Sequence, residues 1–167
     1  MVKTEENLKA AFSGESQANR MYTAFAKKAD EEGYKQVAHL FRAAAAAETV
    51  HALNHLEVIG KVKSTTENLK QGIDGESFEY RKMYPEYMEN AKNEKNNPAL
   101  RTFTLAKKVE EVHYGLYQKA LEQIEKKEKI ADKPIYVCQT CGNTVEGEAP
   151  DRCPICGAPK AKFQKID

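Results

Sequence analysis

Four glutamates stand on apolar helical stripes where Leu or Ala would be expected: Glu15, Glu48, Glu76 and Glu110. Burying an unpaired carboxylate costs on the order of several kcal/mol, so a fold that turns these stripes inward must bring positive charge to them. The stripes have helical spacing. Leu8, Phe12, Glu15, Tyr22, Phe25 and Ala29 mark the first, which Gly33 ends; Val37, Phe41, Ala44, Glu48, His51, His55 and Val58 mark the second, ended by Gly60. Ser64 and Glu67 have the spacing of a capping box and open a third stripe through Leu69, Ile73, Glu76, Met83 and Tyr87. Asn97-Pro98 reads as cap and first turn of a fourth, through Phe103, Ala106, Glu110, His113, Tyr117, Leu121 and Ile124. Four long helices joined by short connections predict a four-helix bundle over 1–130.

The stripes repeat. Thr4-x-Glu6-Asn7-Leu8-Lys9 and Gly14-Glu15-Ser16 recur as Thr65-x-Glu67-Asn68-Leu69-Lys70 and Gly75-Glu76-Ser77, an offset of 61 residues. Phe41, Ala44, Glu48, Val50 and His51 recur as Phe103, Ala106, Glu110, Val112 and His113, an offset of 62. Met21-Tyr22 and Met83-Tyr84 already share the later offset, so one extra residue lies between Glu76 and Met83. A single insertion inside a helix is usually absorbed as a π-bulge, and such bulges gather at functional sites. Two helical hairpins related by a pseudo-twofold axis are expected, with one asymmetry in the third helix.

Glu48 with His51 and Glu110 with His113 are both Glu-x-x-His, which puts a carboxylate and an imidazole on one helix face. A solvated helix produces that spacing often; four carboxylates on core faces, repeated at one offset, do not arise that way. One Glu from each of two helices plus Glu-x-x-His from the other two is the ligand set of a dimetal carboxylate bundle, and oxygen donors with some imidazole suit iron or manganese. Glu79, three residues beyond Glu76, could add a fifth carboxylate opposite His51, since Ala18 stands at the equivalent place; otherwise the bulge turns it to the surface. Tyr22 and Tyr84 lie one or two turns from a ligand, suited to phenolic hydrogen bonds to bound oxygen or to plain core packing. His55 reads as a supporting or core residue, and His39 as one without a role.

Lys and Arg number 26 against 25 Asp and Glu, so a net charge of +1 supplies no field to gather nucleic acid or an acidic membrane. No apolar run is long enough to span a bilayer, and the charged opening shows no secretory leader, so the expected compartment is the cytoplasm. The four cysteines, Cys138, Cys141, Cys153 and Cys156, form two C-x-x-C knuckles, each followed by Gly. That pattern predicts one tetrahedral metal at a tetrathiolate site, iron or zinc, in a small domain over 136–167 after a linker at 131–135.

The chain resembles rubrerythrin over its whole length: a diiron ferritin-like bundle followed by a rubredoxin-type Fe(Cys)4 domain. Cys153-Pro154-Ile155-Cys156-Gly157 with Lys160 is similar to the second rubredoxin knuckle, whereas the first ends Cys141-Gly142-Asn143 where rubredoxins often carry an aromatic. The resemblance implies bridging roles for Glu48 and Glu110, terminal ligation by Glu15 and Glu76, and His113 on one iron. Glu79 and His51 would be alternative ligands of the other iron, exchanged with redox state; with Tyr22 and Tyr84 they are the candidate catalytic residues. It further implies a peroxidase that reduces hydrogen peroxide to water. Electrons would come from rubredoxin or an NAD(P)H-dependent reductase through the chain's own Fe(Cys)4 centre, in a homodimer or higher homo-oligomer, with head-to-tail transfer as in the family's dimers. Two other readings stay open: a ferroxidase of the ferritin kind, and a non-enzymatic protein whose tail is a zinc ribbon.

Overall fold

The computed structural model describes residues 3–166. Its contacts divide the chain into two compact units, Met1–Lys63 and Ser64–Asp167. In the first, α1 (Lys3–Glu31) and α2 (Lys35–Ile59) form a helical hairpin. Gly33 makes the turn at φ 84°, a left-handed conformation, and the Tyr34 N–H closes it on the Ala29 carbonyl at 2.8 Å. The residues buried between the helices are small: Ala26, Ala29, Ala38, Ala45 and Ala52, with Asn19. Small side chains let the backbones approach, and Asn19 crosses the gap, its Nδ2 donating to the Ala45 carbonyl at 2.5 Å and to Thr49 Oγ1 at 2.7 Å. Several larger apolar side chains stay exposed, Leu40 at 66% and Val58 at 70%.

The second unit opens with α3 (Thr65–Phe78), whose N-terminus carries the complete Ser64–Glu67 capping box. A π-helical turn over Glu79–Met83 leads without a break into α4 (Tyr84–Asn93). The Tyr84 N–H reaches the Glu79 carbonyl, five residues back, so the extra residue inferred from the repeat is absorbed where the offset changes. α5 (Asn97–Glu125) is capped by Asn96, whose Oδ1 accepts the Ala99 N–H at 3.1 Å. The cap is thus one residue earlier than Asn97, because Asn96 holds the non-helical backbone that a cap needs. Gly72 brings α3 close to α5: a Cβ there would lie 3.1 Å from the Tyr117 ring.

The tail forms a three-stranded antiparallel sheet in the order β2-β1-β3, from β1 (Ile135–Cys138), β2 (Thr144–Glu146) and β3 (Phe163–Ile166). β1 begins at the last residue of the expected linker. Its sheet rests on α5: a Cβ on Gly142 would lie 3.6 Å from Val109 Cγ1, and Lys119 pairs with Glu146. No helix among the described residues is long and apolar enough to cross a membrane.

Candidate metal centres

Glu15 on α1 and Glu48 and His51 on α2 converge, with donor atoms all within 4.8 Å of one another. His51 Nδ1 lies 2.9 Å from Glu48 Oε2. Hydrogen bonds from His51 and then Glu15 hold the Glu48 carboxyl below its ordinary pKa. Glu76 on α3 and Glu110 and His113 on α5 make the equivalent group in the second unit, again within 4.8 Å. There His113 Nδ1 lies 2.9 Å from Glu110 Oε2 and 3.8 Å from Glu76 Oε1. Burial, then the Glu110 charge, pushes the Glu76 carboxyl up to about 7. Glu79, first residue of the π turn, is not among the converging donors, but it feels the same surroundings: burial and then Glu110 raise its pKa.

The halves repeat in more than ligands. Tyr22, Phe25 and Phe41 pack with ring centroids 5.5 to 6.2 Å apart, and Tyr84, Tyr87 and Phe103, each 62 residues later, do so at 5.6 to 6.3 Å. Tyr22 therefore lies in an aromatic cluster. Tyr84 does too, but burial followed by Glu110, Glu79 and Glu76 also raises its phenol pKa, which puts its hydroxyl within the field of the carboxylates. His55 is half-buried on α2 and His39 is exposed.

Two supporting residues were not visible as such in the sequence. Tyr117 stacks on the His113 ring at 6.5 Å, and it occupies the place in the repeat that His55 holds beside His51, a signal that could have found it. Thr144 comes from β2, and no spacing rule links it to the helices; its Oγ1 lies 3.0 Å from His113 Nε2. That hydroxyl donates to the Gly142 carbonyl at 3.2 Å, so it accepts from His113 Nε2–H and leaves Nδ1, on the side of Glu76 and Glu110, as the donor for a metal.

The four cysteine sulfurs also lie within 4.8 Å of one another, with Cys138 to Cys156 at 3.7 Å and Cys141 to Cys153 at 3.6 Å. Both glycines after the knuckles have positive φ, 85° at Gly142 and 76° at Gly157, and return their N–H groups to the Cys138 and Cys153 carbonyls at 2.8 Å. Backbone N–H groups aim at the sulfurs: Asn143 at Cys141, Cys156 and Ile155 at Cys153, Ala158 at Cys156. Burial raises the Cys141 thiol. At Cys153 burial is outweighed by the backbone N–H groups of Cys156 and Ile155, which bring the thiol down to about 7. Asn143 is buried where rubredoxins often have an aromatic, and its Nδ2 has no protein partner.

The donor chemistry of these groups fits iron. Carboxylates crowded against imidazole suit a hard or borderline cation, and four thiolates supported by N–H donors suit an Fe(Cys)4 centre. Fold and sites define a class: a ferritin-like dimetal carboxylate protein with an appended rubredoxin-like module. A family profile described as Rubrerythrin matches residues 6–121, and one described as Rubrerythrin, rubredoxin-like domain matches 136–164. Rubrerythrin-2 of Clostridium acetobutylicum is 35% identical over 96% of this chain and 95% of its own. Nigerythrin of Nitratidesulfovibrio vulgaris is 38% identical over 96% and 85%. A solved structure titled as the partially reduced state of nigerythrin matches with a TM-score of 0.59 at 38% identity, over 99% of this chain and 88% of that one. The chain belongs to the rubrerythrin family.

Proposed function

We propose that the protein is a peroxidase that protects against oxidative stress, reducing hydrogen peroxide to water with electrons delivered through its own Fe(Cys)4 module. The observation that carries this reading is the contact between the module and a bundle ligand: Cys141 is bonded to Gly142, whose carbonyl accepts from Thr144, which accepts from His113. A ferroxidase has no use for such a connection. When bound, an iron pair supplies the two electrons needed to cleave an O–O bond, with two protons taken up as two waters form.

The chain's own groups have definable tasks. Glu15, Glu48, Glu76 and Glu110 would hold the iron pair together with His113, which Thr144 fixes in the tautomer that offers Nδ1. Tyr84, kept protonated by burial and by the carboxylates around it, would donate its O–H to an oxygen of the peroxide substrate. Glu79 at the π turn and exposed His51 would serve as alternative ligands of one iron, since a carboxylate favours the ferric state and imidazole tolerates the ferrous. The external donor is rubredoxin or an NAD(P)H-dependent reductase.

Stopped-flow oxidation of the fully reduced protein tests this. Peroxide should oxidise the bundle irons much faster than dioxygen at equal concentration; equal or reversed rates would favour the ferroxidase reading.

A further inference from the structure

The half that carries the π turn differs from the other in more than the extra residue. The first unit reads Gln17-Ala18-Asn19-Arg20-Met21 where the second reads Phe78-Glu79-Tyr80-Arg81-Lys82-Met83. At the offset of 61, Asn19 and Arg20 correspond to Tyr80 and Arg81; at the offset of 62, Ala52 corresponds to Tyr114. One local bond is common to both halves: Arg20 Nε donates to Asn19 Oδ1 at 2.8 Å, and Arg81 Nε donates to Tyr80 Oη at 2.6 Å. What surrounds it differs. Asn19 and Ala52 are small and buried, and let α1 and α2 close on one another. Tyr80 and Tyr114 instead put one ring on the π turn and one on α5, with centroids 5.4 Å apart. The Arg81 guanidinium lies over both, 5.0 Å from the Tyr80 centroid and 5.3 Å from that of Tyr114. Gln118 Nε2 donates to the Tyr114 hydroxyl at 2.8 Å and steadies the ring on α5.

A π turn needs such support. It holds one residue more than the helix around it, and the same count of backbone bonds serves wherever along the helix that residue sits. Sliding the extra residue past a position turns its side chain by about 100° around the helix axis. Glu79 is the first residue of the turn, half-buried and close enough to Glu110 to feel its charge, so a rotation of that size decides whether its carboxylate faces the other donors or solvent. Tyr80 follows Glu79 in the chain and Tyr114 follows His113, so the ring pair ties the turn to α5 beside a candidate ligand on each side. We propose that Tyr80, Arg81 and Tyr114 form a clamp that fixes the π turn and with it the direction of the Glu79 carboxylate. Arg81 is thus a positioning residue that acts through Glu79. Its planar guanidinium suits the place, because it stacks on rings while donating a hydrogen bond in a fixed direction. The half without the inserted residue has neither ring and no turn to hold.

The inference rests on Glu79 as a ligand of ferric iron, the reading given above, and not on peroxide as the substrate, so its test reads affinity rather than turnover. The full-length protein is loaded with bundle iron and equilibrated against graded chelators, once oxidised and once reduced. Arg81→Ala should lower ferric affinity about tenfold and leave ferrous affinity within about twofold. The sign separates positioning from electrostatics, since deleting a nearby positive charge would by itself strengthen the binding of a cation. In a Glu79→Ala background Arg81→Ala should have no further effect, because nothing is left for it to position. Tyr114→Phe, which keeps the ring, should bind ferric iron as the wild type does, and Tyr114→Leu should behave as Arg81→Ala. Arg81 is exposed and its loss opens no cavity, which a thermal melt of the variant checks. Unchanged or tighter ferric binding in Arg81→Ala, or a loss that adds to that of Glu79→Ala, overturns the proposal. Should Glu79→Ala itself leave ferric affinity unchanged, the ligand reading fails and the clamp with it; should Glu79→Ala weaken it while Arg81→Ala does not, the clamp alone fails.

Discussion

His51 and His113 occupy the same place in the repeat, 62 residues apart, and sit in different surroundings. The His51 side chain is 52% exposed and its bonded partner is Glu48, whereas His113 is 25% exposed and held by Glu110, Thr144 and the Tyr117 ring. Each belongs to a Glu-x-x-His pair with a carboxylate from the neighbouring helix. Identical motifs thus make one imidazole held on several sides and one held by a single carboxylate, and the difference comes from what packs around them. The π turn adds to it by placing Glu79 in the second unit, where the first has Ala18.

Removing each imidazole gives the largest expected effect. His113→Ala takes away an anchored ligand and leaves Glu76 and Glu110 facing one another, so affinity for bundle iron should drop more than about 100-fold. His51→Ala should cost less than about tenfold if, as proposed, Glu79 can take its place as a ligand. Equilibration of the iron-loaded variants with a graded series of chelators measures both. Equal losses would remove the distinction between the imidazole held on several sides and the one held by a single carboxylate.

Protonation separates the two halves by a smaller amount. Glu76 is raised to about 7 and His113 is raised as well, the latter chiefly through its hydrogen bond to Glu110. The folded apoprotein therefore holds protons that the unfolded chain has released, and its stability should fall as pH rises from about 4.5 through 7. Glu48 is lowered, so its contribution is lost only as pH falls below the ordinary carboxylate range. After allowance for solvent screening, the Glu76 contribution is about 1 kcal/mol. Thermal melts of the apoprotein should thus show a lower Tm at about pH 8 than at about pH 5, and Glu76→Gln should flatten most of that slope. The iron-loaded protein should respond in the opposite sense, because its ligands must be deprotonated. An apoprotein Tm that rises with pH would mean that the second unit is not the protonated half.

Much of this contrast is written in the chain. The four glutamates, both Glu-x-x-His pairs, both knuckles and even the π turn follow from spacing, because a period or an offset leaves a trace in one dimension. Asn96 as the cap of α5 is a one-residue matter of backbone dihedral that two adjacent asparagines do not reveal. Which histidine is anchored is not legible at all. It depends on Thr144, 31 residues beyond His113 and in the other metal module, and on Gly72 being small enough to seat the Tyr117 ring.

Thr144 allows the finest test of the anchored half. Thr144→Val keeps the shape of the side chain but loses both the acceptor for His113 Nε2–H and the donor to the Gly142 carbonyl. The valine leaves a partly buried N–H without a partner, at a cost of about 1 kcal/mol, too little to expel iron or unfold the module. Iron content and the red Fe(Cys)4 absorption should therefore persist. What should change is transfer between the centres, since the hydrogen-bonded connection is replaced by a van der Waals gap. With the bundle oxidised and the Fe(Cys)4 centre reduced, the return of the oxidised absorption should slow several-fold in Thr144→Val and recover in Thr144→Ser, which restores the hydroxyl. An unchanged rate in the valine variant would show that Thr144 only braces His113, and that electrons reach the bundle by another path.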